Sequence, residues 1–255
     1  MKRFVTNEFV VFALAVQFLT RFPVPLGDAY TPARLAATPR YYPLVGILVG
    51  ALCAAIYWLT RPLLTDALAV VIAVAVGVLA TGAFHEDGLA DTFDGIGAGS
   101  REKALEAMRD SRLGTYGTLA LGLTVAMKIG ALLAMPSEQT TIAWVVAHGL
   151  SRLSAVSVIA TSRYVRDDGT GKPTADGIGF GGLVVAVATG GALLAWLAWV
   201  EGTSEALCAA GGALLGQLCM RWMFERRLGG YTGDTLGAVQ QTSELGVYLG
   251  LVMSR

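Results

Sequence analysis

The feature that most constrains this chain is a series of apolar runs, each about as long as a helix that crosses a bilayer. Such runs lie near 43–60, 66–85, 117–135, 140–161, 181–200, 205–223 and 236–253, with break signals between them. The composition agrees, because 54% of the residues are hydrophobic and only 15% are charged. We therefore predict an all-α polytopic membrane protein with about seven transmembrane helices.

The N-terminal apolar run, residues 9–19, is shorter than the others and is interrupted by Gln17. It predicts either an interfacial helix or an additional short span. No linker and no low-complexity tract divides the sequence. We expect a single membrane-embedded domain over residues 1–255.

The positions of lysine and arginine predict the orientation in the membrane. Segments 1–42, 86–116, 162–180 and 221–235 carry five, four, three and three of them, whereas the intervening connections 61–65, 136–139 and 201–204 carry one, none and none. By the positive-inside rule, the first set faces the cytoplasm. The net charge is zero, so we do not expect a nucleic-acid partner. We expect the lipid bilayer to be the main partner of the apolar surface.

An acidic motif at residues 84–95 follows one apolar run directly and contains Glu86, Asp87, Asp91 and Asp94. On a helix, the three aspartates are spaced i, i+4 and i+7 and fall within roughly 60° of one another. A stripe of oxygen ligands suits Mg²⁺, with Mn²⁺ as the alternative. A solvated acidic helix cap is the competing interpretation, but these acids extend beyond the first turn.

A glycine-rich stretch at 95–100 follows the motif and leads into an amphipathic segment that starts at Arg101. Glycines let backbone N–H groups approach an anion, and Arg109 and Arg112 are spaced to clamp phosphates. By itself such a loop is equally well an ordinary turn. Beside a predicted metal site, it favours phosphate binding.

Further polar groups interrupt two apolar runs. His148 and Arg152 are one turn apart, and an intramembrane arginine must face the protein interior, either in an ion pair or against a ligand. Near the C-terminus, Asp234, Gln241 and Glu244 precede an apolar tail. Asp234 is either a helix cap or a site residue, and Glu244 is positioned to complete a metal shell or to orient a substrate hydroxyl.

Segments 86–95, 108–117 and 230–238 resemble the marker segments of the cobalamin synthase family, and segments 17–23 and 42–46 resemble its N-terminal pattern. The resemblance covers nearly the whole chain in order. It implies a Mg²⁺-dependent adenosylcobinamide-GDP ribazoletransferase of a bacterial or archaeal inner membrane, with its active site facing the cytoplasm. In that reaction α-ribazole, or its 5′-phosphate, attacks adenosylcobinamide-GDP and GMP is released.

Phosphoryl transfer requires metals, cations and a positioned nucleophile, and the candidate residues can be sorted by these roles. The predicted metal ligands are Glu86, Asp87, Asp91 and Asp94. The predicted substrate and phosphate contacts are Arg109, Arg112, Arg152 and Gln241, and the unranked candidates to orient or deprotonate the hydroxyl are Asp110, Asp234 and Glu244. The basic segment 162–172 either contacts the corrinoid or GDP, or only sets the topology.

Two other classes of protein also place acids in membrane helices. A CDP-alcohol phosphotransferase would carry Ala-Arg after its first acids and a second pair of aspartates downstream, and this sequence lacks both. A divalent-cation transporter would place acids near the midplane of two or more helices, often within a repeat. The oligomeric state is left open, with a homo-oligomer as one alternative.

Overall fold

The computed structural model describes residues 2–110, 112–166, 172 and 178–255, without the side chains of residues 2–6 and 28. Within these ranges the chain forms helices and no β-strand, apart from one isolated parallel bridge between Tyr164 and Tyr231. Short 3-10 turns occur at Gly27–Ala29 and Thr38–Tyr41. The α-helices are α1 Lys2–Leu19, α2 Pro32–Ala36, α3 Tyr42–Thr60, α4 Asp66–Thr81, α5 Phe84–Ile96, α6 Arg101–Ala107, α7 Thr115–Ala134, α8 Ser137–Thr161, α9 Phe180–Val200, α10 Thr203–Leu228 and α11 Gly233–Met253.

The predicted all-α polytopic class is confirmed. Five segments of the described chain are long and apolar enough to cross a membrane, namely Thr38–Thr60, α7, α8, α9 and α10, and a sixth is obtained if α4 and α5 count as one bent span. The predicted span at 236–253 lies in α11, whose polar residues lower its hydropathy. The apolar part of α1, Asn7–Leu19, is shorter than a full span.

The predicted apolar run 66–85 divides into two helices. α4 ends at Thr81, and Gly82 and Ala83 adopt left-handed conformations with φ of 67° and 58°. These two residues turn the chain through 87° before α5 begins. The acidic motif therefore lies on a separate helix rather than on a continuation of the preceding span.

α11 forms the centre of the bundle and packs against α5, α7, α8 and α10. Its contact with α10 is so close that a Cβ at Gly212, Gly246 or Gly250 would meet backbone carbonyl oxygens of the facing helix. Small residues of this kind let helices approach in lipid, where packing replaces the hydrophobic effect as the force between helices. This close packing leaves α11 largely buried, including its polar side chains.

The loops rich in lysine and arginine meet at one end of the bundle. The Arg101 side chain, at the start of α6, donates to the carbonyl of Leu228 at the end of α10 (2.8 Å). The Val165 N–H, after α8, donates to the carbonyl of Tyr231 before α11 (3.0 Å). The functional candidates before α7 and before α11 therefore share one face, together with the described part of the basic segment 162–172. Residues 167–171 of that segment lie outside the described residues.

Candidate functional site

The acid stripe, defined as Asp87, Asp91 and Asp94, lies on α5 as the spacing predicts. Asp87 is exposed and Asp91 is half-buried. Within the described residues, no hydrogen bond or ion pair engages either carboxylate. Both therefore keep their oxygens available to a ligand.

Asp94 has a structural task in addition to any role in the stripe. Its carboxylate accepts the N–H of Gly114 through Oδ2 and that of Gly117 through Oδ1, each at 2.8 Å. These amides belong to the N-terminus of α7, where N–H groups have no helical partner. A Cβ at Gly114 or Gly117 would meet the Asp94 carboxylate, so both glycines make this contact possible. Asp94 thus joins α5 to α7.

The crossing of α5 and α11 brings Asp234 to the acid stripe. A Cβ at Gly88 would lie 2.7 Å from the carbonyl oxygen of Asp234, and one at Gly237 would lie 3.1 Å from the carbonyl oxygen of His85. Only glycine permits the two backbones to approach this closely. The Asp234 carboxylate consequently interacts electrostatically with Asp87 and Asp91.

Arg166 brings a positive charge into this acidic region. Its Nη1 atom lies 2.7 Å from Asp234 Oδ2, and its charge also acts on Asp91. Its side chain is only 9% exposed. The structure therefore adds a largely enclosed arginine from the α8–α9 connection, which the sequence pattern did not single out from the rest of its basic segment.

Glu86, on the same helix as the stripe, points toward the bundle interior. Its Oε1 atom accepts a hydrogen bond from Nε2 of Gln241 (3.0 Å), and Gln241 Oε1 in turn accepts one from Nζ of Lys128 (2.8 Å). Lys128 also forms an ion pair with Glu244 (2.8 Å). These four residues form a buried polar network that extends from α5 across α11 to α7.

Glu244 is the innermost member of the buried polar network. Besides Lys128, it accepts hydrogen bonds from Gln240 (2.7 Å) and Tyr248 (3.3 Å), and its side chain is 4% exposed. Because both carboxylate oxygens have partners, the charge is tolerated inside a bundle of apolar helices. Of the carboxylates predicted to orient or deprotonate a substrate hydroxyl, Asp234 lies beside the acid stripe, whereas Glu244 is enclosed in this network.

Arg152 faces the protein interior, as an intramembrane arginine must. It donates through Nη1 to the His148 carbonyl (3.0 Å), while its Nε has no hydrogen-bond partner among the described residues. It lines a cavity of about 20 Å³ together with Glu86 and His148. In the described part of the chain, Glu86 Oε2 and His148 Nε2 likewise lack a hydrogen-bond partner, although His148 Nε2 lies 3.8 Å from Glu244 Oε1. A space of this size holds about one water molecule, which would satisfy these atoms.

In the loop between α6 and α7, one arginine of the predicted phosphate clamp is held in an ion pair within the loop itself. Arg112 is bound to Asp110 within that loop (2.6 Å), and its side chain is 86% exposed. Hydrogen bonds from Arg112 lower the pKa of Asp110 to about 2, which makes it a poor proton acceptor. The N–H groups of Gly97 and Ala98 donate to carbonyls of α5, so they are not directed at an anion.

The donor chemistry of the acid stripe suits a hard cation, but the predicted ligand set is not assembled as a whole. Among the described residues, no group of three or more acidic, histidine or cysteine side chains is placed to hold a metal ion. Glu86 is directed to Gln241, and both Asp94 oxygens accept backbone N–H groups. Asp87 and Asp91 remain as the carboxylates without protein partners, so the metal site stays a prediction centred on these two.

Comparison with known proteins agrees with the resemblance in the marker segments. A family model described as cobalamin-5-phosphate synthase matches residues 11–252. The chain is similar to proteins named adenosylcobinamide-GDP ribazoletransferase from Leptothrix cholodnii (45% identical over 253 residues, covering 96% of this chain and 95% of the relative) and from Shewanella frigidimarina (43% over 245 residues, covering 94% and 92%). No solved structure matches the chain. Since the family model covers nearly the whole length, the chain belongs to the cobalamin-5-phosphate synthase family.

Proposed function

We propose that the protein is an adenosylcobinamide-GDP ribazoletransferase, which joins adenosylcobinamide-GDP and α-ribazole, or its 5′-phosphate, in the final stage of cobalamin biosynthesis. The observation that carries this proposal is the identity of 40–45% with relatives of that name over more than 90% of both chains. The acid stripe, Asp234 and Arg166 supply the groups that phosphoryl transfer requires.

In the proposed reaction, a ribazole hydroxyl oxygen bonds to the phosphorus that carries cobinamide. The bond from that phosphorus to the bridging oxygen breaks, and GMP leaves with this oxygen. Asp234 would accept the hydroxyl proton; the support is its position next to the acid stripe, where it interacts electrostatically with Asp87. Asp87 and Asp91 would hold Mg²⁺, which neutralises pyrophosphate charge when bound.

The buried polar network supports this chemistry indirectly. Through Gln241 and Lys128, it ties Glu86, and with it the first turn of α5, to the rigid centre of the bundle. A displacement of about 1 Å at a reacting centre costs on the order of a hundredfold in rate. Glu86, Gln241 and Glu244 are therefore assigned as positioning residues for the acid stripe.

We also propose that the protein lies in the inner membrane with the acid stripe at the cytoplasmic side. The support is the excess of lysine and arginine in the loops that meet at the stripe end of the bundle. A single cysteine introduced at exposed Lys103 in a cysteine-free variant should be labelled by a membrane-impermeant maleimide only after the membrane is permeabilised. Labelling in intact cells would contradict this orientation.

The catalytic proposal is tested with purified protein, Mg²⁺, adenosylcobinamide-GDP and α-ribazole, following GMP release and the corrinoid product. We expect turnover by the parent protein and none by Asp87→Asn. The matched control is Glu102→Gln, which neutralises an exposed carboxylate on α6 at the same end of the bundle. Absence of turnover in the parent, or equal turnover in Asp87→Asn, would refute the proposal.

A further inference from the structure

We propose that Arg166 binds the pyrophosphate of the GDP-activated substrate, and that its ion pair with Asp234 holds it in place until this substrate arrives. The inference deepens the proposed function and rests on it. Arginine suits this role because its planar group presents five N–H donors that match phosphate oxygens in pairs.

The first support is that the Arg166 side chain is only 9% exposed and that its guanidinium is only partly bonded. Nη1 lies 2.7 Å from Asp234 Oδ2, and Nη2 makes a long hydrogen bond of 3.4 Å to the Met108 carbonyl. The Nε atom is buried without a hydrogen-bond partner in the described part of the chain. A buried donor without a partner is destabilising, so its retention needs a reason. A ligand oxygen that accepts from Nε supplies one.

The second support is that the backbone is built to hold Arg166 over the acid stripe. The parallel bridge between Tyr164 and Tyr231 places two hydrogen bonds around it, from Val165 N–H to the Tyr231 carbonyl (3.0 Å) and from Tyr231 N–H to the Arg163 carbonyl (2.8 Å). A Cβ at Gly230 would meet the Arg163 carbonyl, so glycine is required for this approach. The Tyr231 side chain, fully buried, fixes the bridge in the core.

The third support is the balance of charge around the guanidinium. Asp91 interacts electrostatically with Asp87, Asp94 and Asp234 and with the positive charge of Arg166, and Asp234 interacts with Asp87 and Arg166. If Arg166 only joined its own loop to the start of α11, its ion pair with Asp234 would suffice. Its charge also acts on Asp91, one of the proposed metal ligands, so the arginine is close enough to the acid stripe to contact a phosphate group bound there.

The experiment compares nucleotide binding by Arg166→Gln and by Arg163→Gln. Arg163 is the matched control because it has the same charge, lies in the same segment and has an exposed side chain. The probe is GDP, measured by equilibrium dialysis against the detergent-purified protein, once with Mg²⁺ and once with EDTA. Loss of a charge-assisted hydrogen bond should raise the dissociation constant about 10- to 100-fold in both conditions, with no change for Arg163→Gln.

Turnover gives a second readout that a structural role would not produce. For Arg166→Gln, we expect the KM for adenosylcobinamide-GDP to rise while the KM for α-ribazole stays at the parent value. Arg166→Lys keeps the charge but loses the planar pair of donors. Its KM for adenosylcobinamide-GDP should therefore lie between the values of the parent and of Arg166→Gln. If Arg166→Gln does not fold, Arg166→Lys decides alone.

Unchanged GDP affinity in a folded Arg166 variant would overturn this inference. So would an equal loss of affinity in Arg163→Gln, because it would indicate general electrostatic attraction. Failure of the proposed function is distinguishable, because it would appear as a parent protein that forms no corrinoid product. An active parent whose Arg166 variants bind GDP normally would refute the role of Arg166 and leave the enzyme assignment intact.

Discussion

Replacing Gly88 by alanine should damage the site through packing alone, without removing a functional group. The new methyl group would lie 2.7 Å from the carbonyl oxygen of Asp234 and 3.1 Å from its Cα. These are backbone atoms of α11, which cannot rotate away as a flexible side chain could. Reaching an ordinary contact of 3.4 Å therefore requires α5 and α11 to separate by about 0.7 Å.

The magnitude follows from two opposing effects. Overpacking of a tight contact costs about 1–3 kcal/mol, while alanine in place of a mid-helix glycine returns about 1 kcal/mol through helix propensity. The net loss of stability is thus modest, about 0–2 kcal/mol. The catalytic loss should be larger, because a displacement close to 1 Å between Asp234 and the acid stripe costs on the order of a hundredfold in rate.

The assay measures kcat by GMP release and the midpoint of thermal unfolding in detergent for three alanine variants. Gly237→Ala meets His85 and Gly88 at 3.1–3.3 Å and should be intermediate. Gly99→Ala has nothing within 4 Å and serves as the control. We expect the kcat to fall in the order Gly99→Ala, Gly237→Ala, Gly88→Ala. A Gly88→Ala protein with the kcat of the parent would refute the α5–α11 contact as the element that positions the site.

Other predictions address single interactions. Lys128→Met should lower the free energy of unfolding by about 3–5 kcal/mol, because it leaves Glu244 buried without the Lys128 charge. The double variant Lys128→Met with Glu244→Gln should recover much of this loss in thermal unfolding. If the losses of the two single variants simply add in the double variant, the pairing is contradicted. Asp94→Asn should lower stability by about 1–3 kcal/mol, because a hydrogen bond to the start of α7 is lost. Asp91→Asn should instead abolish turnover and keep the unfolding midpoint of the parent. Equal midpoints for the two variants would contradict the structural role of Asp94. Arg112 lowers the pKa of Asp110 to about 2. The stabilisation from this ion pair is therefore present above the unfolded pKa of about 3.9 and is lost only as the pH falls toward 2. The pH–rate profile of Asp110→Asn should therefore match that of the parent between about pH 5 and pH 9, and a shifted limb would restore Asp110 as a catalytic candidate.

The helical class and the position of the acidic motif on a helix were predictable from the sequence, because both depend on local patterns. A run of about 20 apolar residues must bury its surface in lipid, and an i, i+4, i+7 spacing aligns Asp87, Asp91 and Asp94 on any α-helix. The family followed from marker segments that are distributed along nearly the whole chain. None of these inferences requires knowledge of which helices touch.

The partners of the candidate residues were not predictable in the same way. Glu86 bonds to Gln241, 155 residues away, and Asp94 binds amides 20 and 23 residues downstream. Such pairs depend on the crossing of helices whose separation is set by small residues at the contact. Arg109, Arg112 and Asp110 have the right chemistry in sequence, but Arg112 and Asp110 neutralise each other on the surface.

The sequence by itself therefore determined that this protein is a helical membrane enzyme of its family with an acid stripe at one end of a span. Only the tertiary structure decided which polar groups face that stripe. The left-handed residues Gly82 and Ala83 turn α5 through 87°, and the close approach of Gly88 and Gly237 brings Asp234 beside it. The bridge at Tyr231 then places Arg166 over the same acids. The physical reason is that periodicity specifies the face of one helix, whereas a site is formed by contacts between several helices.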